Sequence, residues 1–188
     1  MIKGHNGIIE ALQKSQQKDN ILFKTQYLNS DTPLNNWVPL DEAQPLTPAN
    51  FKPDGGTPLY DQALSLLSSV ILETTQALER KQQARWGVLL ITDGDDTASK
   101  KHSAADVKLI LDDMRKTGEL LESCKPDDDA TGSIALLGIE DRESDPGAST
   151  FFENVAASMG ITWVLHANRA NPTEMRRAFN TFSRPYLR

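Results

Sequence analysis

Two stretches of the chain carry oxygen donors of the kind that hold hard cations. "GGTPLYDQAL", residues 55–64, sets Thr57 between a glycine pair and a proline, at the head of an apolar periodic segment. "LLITDGDDT", residues 89–97, ends an apolar run in Asp93, with Asp95 and Asp96 close behind. A hydroxyl and a carboxylate suit Mg²⁺, Mn²⁺ or Ca²⁺. Helix starts and strand ends share a rim in α/β sheets, which would bring Thr57 and Asp93 to the same side. Each motif also has a plainer reading. Thr57 suits an N-cap before a proline at the first helical position, the glycines suit a tight turn, and Asp93-Gly94 suits a turn after a strand.

The elements that must position these residues alternate along the chain. Residues 4–17 carry Ile8, Ile9 and Leu12 at helical spacing, with Asn6 as a possible cap. Residues 20–28 alternate, with Ile21, Phe23 and Tyr27 on one face, as a strand does. A proline-rich stretch follows, with room for a short edge strand around Trp37–Leu40. Residues 58–80 predict a long helix whose shared face holds Ala63, Leu67, Val70, Ile71, Thr74 and Leu78. "WGVLLIT", residues 86–92, is continuously apolar, as a strand buried on both faces of a parallel sheet reads. Residues 104–123 predict a helix through Val107, Ile110, Leu111, Met114 and Leu121, with Gly118 its weak point. Strands at 133–139 and 161–167 alternate with helices at 150–160 and 172–183, the last opening on Pro172. Such alternation predicts an α/β fold: a doubly wound, mainly parallel, Rossmann-like sheet with helices on both faces.

The chain has 188 residues and a formal net charge of −6, which suits one soluble domain over 1–188. The acidity argues against nucleic acid or an anionic membrane as partner and favours a site that draws a cation. Cys124 is the single cysteine, so no internal disulfide forms, and it reads as a buried structural thiol. No long apolar run or secretory signal is evident, and the expected compartment is cytoplasmic.

The pair "GGTPLYDQAL" and "LLITDGDDT" resembles the von Willebrand factor A (vWA) family, and the order of elements is similar over nearly the whole chain. The resemblance implies a metal-ion-dependent adhesion site built from three loops. The second loop supplies a threonine, here Thr57, and the third an aspartate, here Asp93. It further implies a protein-binding module in which an acidic side chain of the partner completes the coordination of Mg²⁺ or another divalent cation. The chain departs from the family in lacking the first strand and its Asp-x-Ser-x-Ser motif. Mg²⁺ is therefore expected to bind weakly or not at all. Unpaired backbone groups of a buried strand cost on the order of 1–3 kcal/mol each, so something is expected to fill the gap. The candidates are a strand upstream of Met1, with the family's domain truncated here, a strand donated by a second copy or a partner, and direct pairing of "NILFKTQYL" with "WGVLLIT".

Other constellations point elsewhere. "DDDATG", residues 127–132, begins like an EF-hand loop but has Gly138 where a glutamate is needed. His5, His102 and His166 show no ligand spacing, and His166 reads as a satisfied rim residue. No nucleophile elbow, dinucleotide fingerprint or P-loop occurs. The leading expectation is therefore a non-enzymatic interaction module with an incomplete metal site. The rival is a metal-dependent phosphate hydrolase using Asp93, and a third reading is a subunit of a larger assembly driven by an ATPase or serving a stress response.

Overall fold

The computed structural model describes residues 1–120, 131–141 and 148–187. Leu121, Cys124 and residues 127–130 and 142–147 lie outside them. The chain divides into two compact units, Met1–Gly56 with Ala167–Arg188, and Thr57–His166.

The first unit contains α1 (Ile2–Gln13), β1 (Leu22–Thr25), β2 (Asn35–Pro39) and α5 (Pro172–Ser183). β1 and β2 pair antiparallel, with Leu22 opposite Pro39 and Phe23 opposite Val38. The register slips before Thr25 meets Asn35. Ile9, Leu12 and Leu40 form a buried cluster on which Ile21, Phe23 and Tyr186 pack. α1 begins before Asn6, so Asn6 does not cap it. Its amide instead donates to Leu46 O at 2.9 Å and accepts from Leu46 N–H at 2.8 Å, mimicking a strand partner. α5 runs as its sequence predicts. The Asn171 side chain accepts from the N–H groups of Thr173 and Glu174, and Pro172 fits the first turn where no N–H is needed.

The second unit holds α2 (Leu59–Glu79), β3 (Trp86–Thr92), α3 (Ala104–Lys116), β4 (Gly132–Glu140), α4 (Ala148–Ser158) and most of β5 (Trp163–Asn168). It is mixed α/β, with a parallel three-stranded sheet in the order β3-β4-β5, flanked by helices. β3 and β4 are in parallel register from Trp86 opposite Gly132 to Thr92 opposite Gly138. Every residue of β4 is buried, as its apolar run requires of a central strand.

"NILFKTQYL" supplies β1, which pairs with β2 in a separate sheet and not with β3. The helix expected over 104–123 stops at Lys116, and Gly118 follows at φ +77°, a left-handed conformation that glycine reaches without strain. Leu78 is 67% exposed rather than part of the buried face of α2. The 21 residues of α2 span about 31 Å, whereas the 7 of β3 span about 23 Å, so the last turns of the helix outrun the strand.

Candidate functional site

β3 ends in Thr92, whose hydroxyl donates to Gly94 O and accepts from Gly94 N–H, turning the chain sharply after the strand. The segment that follows is fastened to the start of α2. Thr57 N–H donates to Thr97 Oγ1 at 2.9 Å, and Thr97 N–H donates to Thr57 O at 3.0 Å. The two stretches singled out in the sequence therefore meet.

The first turn of α2 is capped by residues distant in sequence. Thr57 is not its N-cap; Pro58 occupies that position and offers no side-chain acceptor. The N–H groups of Tyr60 and Asp61 donate instead to Ser99 Oγ, at 3.1 and 3.0 Å. Ser99 Oγ in turn donates to Asp96 Oδ1 at 2.5 Å. The exchange is reciprocal, because the Asp61 carboxylate accepts from the backbone N–H groups of Lys100, Lys101 and His102. Those three donors, led by Lys100, hold the Asp61 carboxyl below its ordinary range. The Tyr60 hydroxyl lies 3.4 Å from Asp95 Oδ1, and burial followed by the charges of Asp95 and Asp96 raises its pKa.

This network engages Asp95 and Asp96. Among the described residues, the Asp93 carboxylate and the Thr57 hydroxyl make no hydrogen bond. They are hard oxygen donors and fit a divalent cation in kind. They are few, however, and no group of three or more His, Cys, Asp or Glu among the described residues could hold a metal ion. Most of the coordination shell would have to be water.

A second polar cluster sits at the end of β4. The side chain of Glu140 is fully buried, with Oε1 at 2.6 Å from His166 Nδ1 on β5. Ser149 Oγ on α4 donates to the same oxygen at 2.9 Å. His166 is thus held at Nδ1, in line with its reading as a rim residue with a partner. His5 is buried elsewhere, with Nε2 at 2.9 Å from Thr25 Oγ1, and burial lowers its pKa. The sequence offered no sign of the Ser99–Asp96–Asp61 clasp beyond a serine and acids spaced along "DGDDTAS". Glu140 was recognisable only as a lone acid after a buried run.

Comparison with family models, with curated proteins and with solved structures yields no match. No helix among the described residues is long and apolar enough to cross a membrane.

Proposed function

We propose that the chain is a protein-binding module of the vWA type, with an incomplete metal-ion-dependent adhesion site at Thr57 and Asp93. The observation that carries this reading is the reciprocal Thr57–Thr97 hydrogen bonding, which ties the loop after β3 to the head of α2. Ligands of open α/β sheets sit beyond the carboxyl ends of the strands, where Asp93 follows β3. Thr57 would hold a Mg²⁺ ion through its hydroxyl and Asp93 through its carboxylate. The ion would supply an electrophilic position for an acidic side chain of a partner protein. With two protein oxygens the affinity for Mg²⁺ is low, and the doubly wound sheet of the family would need a further strand from outside these residues. Among the described residues β3 pairs with β4 alone and so presents an edge. Trp86 N–H donates toward β4, so by alternation the N–H groups of Gly87, Leu89 and Ile91 face the other side.

The test is a thermal-shift titration with Mg²⁺ of the parent chain and of Thr57→Ala and Asp93→Ala. The expected result is a small rise in Tm that needs millimolar metal and vanishes in both variants. A rise that persists in both variants refutes the site. Turnover of a generic phosphoester that disappears in Asp93→Asn would replace the binding module with the hydrolase.

A further inference from the structure

α5 buries one face and leaves the other strongly cationic. Met175, Ala178, Phe179 and Phe182 are buried. On the opposite side, Thr173, Arg176, Arg177, Asn180, Thr181 and Arg184 are all exposed. Their spacing places all six on a single helical stripe. The stripe contains three arginines and no acid. The one acid of α5, Glu174, is drawn into the cap, where its carboxylate accepts from Asn168 N–H and from the Asn171 side chain. Among the described residues, Arg176, Arg177 and Arg184 form no ion pair, in a chain where acids outnumber lysine and arginine by 26 to 20. Three guanidinium groups on one exposed face, with no acid among them, give that face a positive potential.

We propose that this stripe docks an acidic segment of a partner protein, with the arginines receiving its carboxylates and Thr173, Asn180 and Thr181 supplying further hydrogen bonds. Arg176 and Arg184 are separated by about 12 Å along the helix axis, at 1.5 Å per residue. Charges spread over that length match several carboxylates along a peptide better than one small anion. The guanidinium fork pairs with a carboxylate through two parallel N–H donors, which gives direction as well as charge. The net charge of −6 opposes a long polyanion such as duplex nucleic acid, whereas a short acidic segment carries few enough charges to approach. This surface is independent of the Thr57–Asp93 site.

The test uses the full chain in the presence of EDTA, so that the metal-site reading plays no part in the outcome. Fluorescein-labelled octaglutamate is titrated and followed by anisotropy, with octaglutamine as the uncharged control. The expected result is binding of octaglutamate alone, weakening as salt rises. Arg176→Ala/Arg177→Ala/Arg184→Ala should lose about tenfold or more in affinity, equivalent to about 1.4 kcal/mol, with its Tm unchanged because all three side chains are exposed. The corresponding triple lysine variant keeps the charge and loses the fork, and should bind several-fold more weakly. Octaglutamate binding that is absent, or indifferent to the triple alanine variant, overturns the proposal. So does a short DNA duplex or a phosphatidylserine vesicle that binds through these arginines where octaglutamate does not.

Discussion

The parallel register of β3 and β4 can be tested with a single methyl group. Gly132 lies opposite Trp86, and a Cβ at position 132 would fall inside the contact distance of three indole atoms. Trp86 is 8% exposed, so the ring cannot swing into solvent without uncovering its own buried surface. Gly132→Ala therefore overpacks the start of β4 and should cost about 1–3 kcal/mol. For a chain of this size Tm falls by about 2–4 °C per kcal/mol, so the expected loss is roughly 2–12 °C. The assay is calorimetric or circular-dichroism melting of four proteins: the parent chain, Gly132→Ala, Trp86→Leu, and the double variant. Trp86→Leu is itself destabilising, but it opens room for the added methyl. The double variant should then be more stable than the sum of the singles implies, with a coupling of about 0.5–3 kcal/mol. Strictly additive effects, or a Gly132→Ala protein as stable as the parent, would mean that Trp86 and Gly132 are not neighbours and that the register is wrong.

The clasp between α2 and the loop after β3 makes further predictions. Ser99→Ala removes the acceptor of two first-turn N–H groups and should cost about 0.5–2 kcal/mol, read as a fall in denaturant midpoint at unchanged slope. Asp61 has a carboxyl held below its ordinary range, so its contribution is present above the unfolded carboxylate range and lost as pH falls through the folded value. Asp61→Asn should accordingly lower Tm at neutral pH, and the difference from the parent should close in acid; a gap that stays constant with pH would contradict the assigned hydrogen bonds. Asn171→Ala leaves the Thr173 and Glu174 N–H groups uncapped and should cost about 1 kcal/mol in a thermal melt, and Asn171→Asp should recover only part of that loss, because its carboxylate keeps the cap but faces the Glu174 carboxylate to which Asn171 Nδ2 donates.

The elements that could be read from the chain are those whose burial is written in local pattern. "WGVLLIT" and "SIALLGI" are apolar without interruption because both of their faces are covered, and they form β3 and β4. α5 was legible end to end, since Pro172 opens it and its apolar spacing closes at Phe182, while the Asn171 cap emerged only from the structure. Failures occur where tertiary structure decides. Periodicity alone could not show that α2 outlasts its strand and leaves Leu78 in solvent. Nor could it show that α1 begins four residues before Asn6 and leaves that amide to bridge Leu46. At the candidate site, strand-and-helix alternation predicts that Thr57 and Asp93 share a rim; the contact that joins the two stretches runs from Thr57 to Thr97, a residue that no pattern singled out. The capping roles of Ser99 and Asp96 depend on a loop conformation that no short-range pattern encodes.

The first unit is assembled from the two ends of the chain, with α1 packed on α5 and Gly4 pressed against the Phe179 ring. During synthesis the residues of α1 leave the ribosome about 170 positions ahead of that ring. At roughly 5–20 residues per second, the apolar side of α1 waits on the order of ten to thirty seconds for its partner. The contiguous stretch Thr57–His166 emerges entirely within that interval. Translation order thus favours the parallel sheet forming first, with α1 the segment that a ribosome-associated chaperone would find unburied longest.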